Sequence, residues 1–270
     1  MYITPINTSF SGKLNIVQRW KDRHSSISKP QQADTFVRTT SIEDEIKSIK
    51  PESFINEGHE ASVFETNNKN YVLRIVNGKT YNPKDLIPVN DGNGLIVAVN
   101  QQNTVQLQKY VKGEPLYERP WNIWESNLTK DEYLETFDKI KNLPDESFTE
   151  YIRNILNFRK CGYEIDSVNP NNILLDGNHL NIVDIEKRSM VKPYLFLSDF
   201  DALVDRMHVD EMLSQMNKQE INKFAGDIKV LYDRIMNIAK QEGQVIDISE
   251  NPHSTLYELY SLAQDSEKKN

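Results

Sequence analysis

The chain has 270 residues, of which 38% are hydrophobic, and it carries a formal net charge of -8 at pH 7. This length and apolar content are sufficient for a substantial folded core. The negative charge argues against a sequence-independent grip on nucleic acid or anionic lipid, because both need a basic surface. We therefore predict no nucleic-acid partner.

Cysteine and histidine content argues against disulfide and zinc chemistry. A single cysteine, Cys161, cannot form an internal disulfide, and we interpret it as a structural thiol at the end of an amphipathic helix. The five histidines are scattered, with no i, i+4 pair, so no zinc site is predicted. No apolar run approaches the roughly 18 residues of a membrane span, and the N-terminal residues lack the features of a secretory signal. We predict neither a membrane span nor classical export.

The first 40 residues are rich in Ser, Thr, Asn, Gln and Lys and have no sustained apolar period. We predict that residues 1–40 form a disordered or mobile leader, because they bury too little surface to offset their ordering entropy. The alternative is a surface-packed extension with a short helix around residues 14–20. A short helix capped by Ser41 follows, and Pro51 stops it.

Short runs rich in Val, Ile, Tyr and Phe occupy residues 54–111, separated by Asn and Gly. The runs FINEGHEASVFE, NYVLRIV, GLIVAV and TVQLQKYV predict the strands of an antiparallel sheet. From about residue 129 the apolar period becomes helical. Residues 195–239 predict two or three further helices, and the polar tail holds one more turn at residues 255–262.

One hairpin interrupts the helical half. Asp176 and Gly177 lie between NILL and HLNIVDI, which is a tight-turn signal. The order of elements predicts an α+β fold with two lobes: a β-rich lobe in residues 41–111 and a helical lobe in residues 112–245. Residues 246–270 form a C-terminal tail.

Polar side chains cluster at the ends of this hairpin. Asp184 ends the run LNIVD, where an apolar strand leaves the core, and Asn171 or Asn172 opens the partner strand. Mg²⁺ takes oxygen ligands of this kind together with phosphate. Asp166 lies upstream in the loop and is suited to accept a proton from a substrate hydroxyl. The spacing predicts a base and two metal-holding groups in one cleft.

These residues resemble a known family. DSVNPNNILL, from Asp166, is similar to the catalytic loop of protein kinases, and VDIE, around Asp184, is similar to their DFG segment. The resemblance implies that Asp184 binds Mg²⁺, that Asp166 is the catalytic base and that Asn172 is the second metal ligand. If Asp166 keeps the usual spacing instead, Asn171 is that ligand.

The β-rich half contains a second set of similarities. INEGHEASVF resembles a kinase glycine-rich loop, with Gly58 able to approach phosphate, a small Ala61, and Val63 to pack on adenine. YVLRI resembles the strand that bears the kinase lysine, with Arg74 in its position. Arginine keeps the positive charge and can contact two phosphate oxygens, but it is longer and planar.

LQKYVKGEPL, with Lys109 and Tyr110, is similar to the kinase hinge, whose backbone binds adenine. No long helix lies between residues 76 and 94, and no activation segment ends in A-P-E. This reduced plan resembles the small kinase-like effectors that bacteria inject through type III secretion. The resemblance covers about residues 52–190. It implies a monomeric serine/threonine protein kinase that uses ATP and Mg²⁺, is exported to the host cell cytoplasm, and acts on or binds a host protein.

Two alternatives come with this interpretation. Arg74, Asn56, Asn169 and Glu186 depart from the kinase pattern and favour a pseudokinase, an interaction module of kinase shape. A small-molecule phosphotransferase of the aminoglycoside-kinase type shares the catalytic loop and the metal aspartate. Its acidic substrate pocket would use Asp199, Asp201 and Asp205, but the sequence favours a solvated helix face for these three residues.

Overall fold

The computed structural model describes residues 41–57, 61–117, 128–166, 169–206, 208–247 and 255–267. The predicted leader and Gly58 lie outside these ranges. Helix α1, Ile42–Ser48, begins at Ser41, whose side chain accepts a hydrogen bond from the N–H of Asp44. This confirms the predicted capped helix.

Six antiparallel strands form the sheet of the N-terminal half, in the order β1-β2-β3-β6-β5-β4. Their bounds are Pro51–Glu57, Ala61–Thr66, Tyr71–Val76, Leu86–Pro88, Ile96–Asn100 and Val105–Lys109 for β1 to β6. The predicted antiparallel sheet is confirmed. Strand β4, which follows the 3-10 turn Pro83–Asp85, was not predicted, because three residues are too few to show an alternating pattern.

The two faces of the sheet differ because side chains alternate along each strand. One face packs against α1 and builds a small hydrophobic core around Leu73 and Leu107, which are both fully buried. The other face carries Val63, Arg74, Gln106 and Gln108, and we call it the cleft face. Directly paired residues place them there, since Arg74 is opposite Val63 on β2 and opposite Gln106 on β6.

Helices dominate the C-terminal half. Their bounds are Lys130–Lys141 for α2, Asp145–Lys160 for α3, Val209–Ser214 for α4, Lys218–Gln241 for α5 and Thr255–Glu267 for α6. Thr129 caps α2 in a reciprocal arrangement with Glu132. The predicted helices are confirmed, although α6 is longer than the single turn predicted at residues 255–262. The buried faces of the helices form one large core, to which β5 contributes Ile96.

Short strands complete this half. They are β7, Glu114–Pro115; β8, Tyr163–Ile165; β9, Ile173–Asp176; β10, His179–Ile182; β11, Ile185–Lys187; β12, Leu195–Phe196; and β13, Ile246–Asp247. Strands β9 and β10 form the predicted hairpin, with Asp176 paired to His179 across the turn. Strand β7 lies on the other side of β9, and β11 pairs with β8.

The expectation of a solvated face for the three aspartates after β12 is wrong. Asp199 and Asp201 lie in a 3-10 helix, Leu197–Val204, and Asp205 ends it. All three are buried, and each has a basic partner: Asp199 with Arg159 at 2.6 Å, Asp201 with Arg206 at 2.7 Å, and Asp205 with His208 at 3.3 Å. Charges at this depth need such partners.

Candidate active site

The pairing of β8 with β11 brings two carboxylates to one place. Ile165 ends β8 and is directly opposite Ile185, which begins β11. The two strands are antiparallel, so the residue that follows β8 and the residue that precedes β11 lie at the same end of the strand pair. These residues are Asp166 and Asp184. Strand register therefore joins two predicted site residues that are 18 positions apart.

Asn172 connects Asp166 to the hairpin. Its side-chain nitrogen donates a hydrogen bond of 2.9 Å to the Asp166 carboxylate, and its backbone carbonyl accepts one of 2.9 Å from the N–H of Val183. Asn172 is buried, whereas Asp166 is exposed. The turn is shaped by Asn169, whose side-chain oxygen accepts from the N–H of Asn171 and caps the 3-10 helix Pro170–Asn172. Of the two candidate asparagines, Asn172 carries the contact to Asp166.

Arg74 of β3 faces Asp184. One guanidinium nitrogen lies 3.9 Å from the Asp184 carboxylate, and the two side chains are 17% and 29% exposed. The ion pair is thus partly shielded but still reachable by solvent. It joins the cleft face of the sheet to the end of the hairpin across 110 residues of sequence. A guanidinium that can bind phosphate and a carboxylate that can bind a cation, held next to each other, suit a ligand that has phosphate groups and a metal ion.

Val63 and Ala61 lie on the same side of the sheet as Arg74. Val63 is directly opposite Arg74, and Ala61 is opposite Val76. Val63 is half-buried and Ala61 is buried. The structure therefore places these two predicted contacts beside Arg74. Gly58, which the glycine-loop resemblance also assigns to phosphate, lies outside the described residues.

The segment after β6 passes from the sheet to the hairpin. The backbone N–H groups of Lys109 and Tyr110 donate to the carbonyls of Leu95, at 2.8 Å, and Asn70, at 2.7 Å. Neither N–H is therefore open to a ligand without breaking the sheet edge. The hinge resemblance implies that adenine binds to the backbone of this segment. The first backbone N–H that adenine could reach is then that of Val111, which follows Tyr110.

Gly113 lets this linker approach the hairpin closely. A Cβ at that position would come within 2.8 Å of the Cβ of Leu174, and the backbone has a φ of +132°. The carbonyl of Lys112 accepts a hydrogen bond of 3.3 Å from the Asn181 side chain. The linker thus lies against β9 and β10, which fixes the hairpin whose far end carries Asp184.

A magnesium ion would find only part of its coordination shell in the protein. Among the residues that the structure describes, no three His, Cys, Asp or Glu side chains form a metal-binding group. Asp184 offers a carboxylate, and Asn172 turns its nitrogen to Asp166, which leaves its carboxamide oxygen for a cation. One carboxylate, one amide oxygen and phosphate oxygens form a donor set that Mg²⁺ accepts. The residues present fit a cation that arrives with a nucleotide.

A loop that the sequence reasoning missed fixes the sheet to α3. We call residues 89–95 the anchor loop. Asp91, which is fully buried, accepts hydrogen bonds from the N–H groups of Asn93, Gly94 and Ile96 at 2.9, 2.5 and 2.5 Å. The clustered Asn, Asp and Gly residues of VNDGNG are a recognisable turn signal, although only the structure reveals what the turn contacts.

The anchor loop contacts the backbone and side chains of α3. The Asn93 side chain donates to the carbonyl of Asn154 at 2.8 Å and accepts from the side chain of Asn157 at 3.1 Å. Gly92 lies against Asn157 so closely that a Cβ would come within 2.3 Å of its carbonyl oxygen. These contacts hold the anchor loop, and the strand β5 that follows it, against α3.

The buried carboxyl of Asp201, in the core of the helical half, has a raised pKa. Burial raises the pKa of Asp201 to about 6, although the hydrogen bond and positive charge of Arg206 act in the opposite direction. Burial also raises the pKa of Tyr232 well above its ordinary range, with the negative charge of Asp201 adding to the effect. These groups belong to the core under α5 and do not contact Arg74 or Asp184.

The three acidic residues of the phosphotransferase alternative therefore do not line an open pocket, because each is buried and paired. No helix in the described ranges has both the length and the apolar content needed to cross a bilayer. No protein-family model matches the chain, and no curated protein gives a significant match.

Proposed function

We propose that this chain is a kinase-like phosphotransferase that transfers the γ-phosphoryl group of ATP to a serine or threonine of a protein. The observation that supports this proposal best is the Arg74–Asp184 pair, with 3.9 Å between nitrogen and oxygen, next to the Asp166–Asn172 hydrogen bond. Together these four side chains supply a cation for phosphate, oxygen ligands for a metal ion and a carboxylate base. Phosphoryl transfer requires those three functions.

Each residue has a role in the proposed mechanism. Arg74 binds phosphate oxygens and holds the nucleotide against the cleft face. Asp184 and the carboxamide oxygen of Asn172 would hold Mg²⁺, which would supply positive charge against the phosphate groups. Asp166 is exposed and accepts the proton of the substrate hydroxyl, while Asn172 positions its carboxylate. Most of the rate acceleration would come from positioning and charge stabilisation.

The two-lobed kinase-like fold is part of the same proposal. It is supported by the six-stranded antiparallel sheet, the linker after β6 and the hairpin that follows α3. Export by a type III system, a host-protein substrate and action as a monomer follow only from the resemblance of the sequence to secreted effector kinases.

The direct test is phosphate incorporation from labelled ATP and Mg²⁺, with the purified chain alone and with host-cell extract. We expect Asp184→Ala to abolish incorporation while circular dichroism and melting temperature remain close to wild type. Asp176→Ala is the matched control, because Asp176 is an exposed aspartate at the opposite end of the same hairpin. Asp184→Ala with full activity would remove Asp184 from the mechanism.

The second candidate is a pseudokinase that binds nucleotide or a partner without transferring phosphate. Glu186 favours it, since this residue stands where the DFG segment has glycine and is held in β11, bonded to Arg188 at 2.5 Å. The backbone after Asp184 therefore has less conformational freedom here than it would have with glycine at this position. This candidate predicts that Mg²⁺ and ATP raise the melting temperature while no labelled phosphate is incorporated in any extract.

A further inference from the structure

Two buried glutamines lie on the cleft face next to Arg74. Gln106 and Gln108 alternate along β6, and their exposed fractions are 3% and 5%. Gln106 is directly opposite Arg74, and Gln108 is opposite Val72. Gln108 thus lies one side-chain repeat, about 7 Å, further along the strand from Arg74, towards the linker.

The two carboxamides form a hydrogen-bonded chain with a defined direction. The side-chain nitrogen of Gln108 donates to the oxygen of Gln106 at 2.8 Å. The nitrogen of Gln106 donates in turn to the side-chain oxygen of Asn103 at 3.3 Å. With its nitrogen turned to Gln106, Gln108 ends the chain with its carbonyl oxygen. Flipping Gln108 alone would set its oxygen against the oxygen of Gln106.

Packing alone does not explain amides at these positions. Burying a carboxamide costs free energy unless each polar atom finds a partner, and leucine or methionine would fill similar space without that cost. The opposite face of the same strand uses Val105 and Leu107 for its core. Polar side chains on the cleft face, in line with the phosphate-binding Arg74, therefore indicate a polar ligand group.

We propose that Gln108 selects the base of the nucleotide by accepting a hydrogen bond from the amino group at the 6-position of adenine. This inference rests on the proposed function, which puts phosphate at Arg74. Adenine presents an amino group at its 6-position, where guanine has a carbonyl oxygen. The carbonyl of Gln108 would attract the first and repel the second, so the site prefers ATP to GTP.

The test compares binding of ATP and GTP, each with Mg²⁺, to the full chain by calorimetry. We expect wild type to bind ATP on the order of tenfold more tightly than GTP, which is the ratio that one hydrogen bond made or opposed supplies. Gln108→Met, which is similar in size, should lower the ATP to GTP ratio towards one. Its effect should fall on ATP binding more than on GTP binding.

Two variants of Asn103 test the direction of the hydrogen bonds between the glutamines without changing a residue of the cleft face. Asn103 has a φ of +55°, so glycine is tolerated there, and Asn103→Gly removes the acceptor that orients Gln106. Both glutamines can then reverse, and the ATP to GTP ratio should fall. Asn103→Asp keeps an acceptor and should keep the ATP to GTP ratio. The two Asn103 variants therefore still test the inference if Gln108→Met does not fold.

The failure of this inference can be separated from failure of the proposed function. Equal binding of ATP and GTP to wild type, or a ratio unchanged in both Gln108→Met and Asn103→Gly, would overturn the role of Gln108 while leaving nucleotide binding intact. A preference for GTP would overturn it too. Absence of binding by either nucleotide would overturn the proposed function, and this inference with it.

Discussion

The side-chain nitrogen of Asn172 donates a hydrogen bond of 2.9 Å to the carboxylate of Asp166. This contact spans the turn that contains the 3-10 helix Pro170–Asn172, and it orients one predicted site residue by means of another. Because Asn172 is also bonded through its carbonyl to Val183, the residue before Asp184, one buried asparagine links both carboxylates of the candidate site.

This relationship predicts different effects for the two neighbouring asparagines. Asn172→Ala should lower phosphate transfer by about a hundredfold or more, because it releases Asp166 and removes a metal ligand. Asn171→Ala is the matched control and should change the rate by less than about threefold. The rates are compared by incorporation of labelled phosphate, with melting temperatures recorded for both variants. Equal losses would leave the two residues indistinguishable and contradict this assignment.

Arg74 is predicted to contribute to nucleotide binding and little to stability. Its ion pair with Asp184 is partly exposed, so Arg74→Gln should change the free energy of unfolding by less than about 1 kcal/mol. The same change should weaken binding of Mg²⁺ and ATP about tenfold, since a phosphate loses its cation. Arg74→Lys, which keeps the charge, should lose less affinity. Titration calorimetry and urea unfolding separate the two effects, and a large loss of stability with unchanged affinity would assign Arg74 to structure alone.

Asp201 predicts an unusual dependence of stability on pH. Its folded pKa is raised to about 6, whereas the unfolded value is the ordinary 3.8, so the native state binds the extra proton between these values. This carboxyl therefore makes the protein more stable as pH falls from about 6 to about 4, and less stable at neutral pH. A difference of about two pKa units corresponds to roughly 3 kcal/mol.

The variant Asp201→Asn isolates this contribution. It should raise the free energy of unfolding near pH 7.5 relative to wild type, and the advantage should shrink as pH approaches 4. Arg206, which loses its carboxylate partner in this variant, has a side chain that is 30% exposed, so water can hydrate it. Urea unfolding at several pH values is the measurement. An Asn variant that is less stable than wild type near pH 7.5 would show that the bond to Arg206 outweighs the cost of burying the charge.

Gly92 is predicted to be essential for the anchor loop. Gly92→Ala combines a φ of +94° with a Cβ that would lie 2.3 Å from the Asn157 carbonyl oxygen, so it should cost about 3 kcal/mol or more. Gly78→Ala is the control, because Gly78 has a φ of +77° but no atom within 4 Å of its Cβ position. It should cost about 1 kcal/mol, from backbone strain alone. Equal losses in chemical unfolding would mean that the contact with α3 has no role.

Elements with local signals were predictable from the sequence. The Asp176 and Gly177 turn, the Ser41 cap and the alternating runs of the sheet each depend on residues that are close in sequence. The grouping of Asp166, Asn172 and Asp184 also followed, because all three lie at the ends of short strands in one segment. In the run VQLQK, polar and apolar residues alternate, and this pattern predicts that Gln106 and Gln108 lie on the same face of the strand.

Other features depend on contacts between distant residues. Asp199 is buried because Arg159, forty residues earlier, forms two hydrogen bonds with it at 2.9 and 2.6 Å. Nothing in the sequence around Asp199 identifies that partner, so the sequence alone predicts a surface position for this carboxylate. The N–H groups of Lys109 and Tyr110 likewise donate to the carbonyls of residues that are distant in sequence, Leu95 and Asn70. Burial and backbone pairing of this kind follow from the fold as a whole.

The central claim is that Arg74 and Asp184 face one nucleotide phosphate site. Calorimetric titration of ATP, with and without Mg²⁺, into wild type, Arg74→Gln, Asp184→Asn and the double variant tests it most directly. The account predicts binding to wild type that weakens in each single variant, a dependence on Mg²⁺ that is lost with Asp184, and non-additive losses in the double variant. No binding by wild type, or affinities that neither substitution changes, would contradict it.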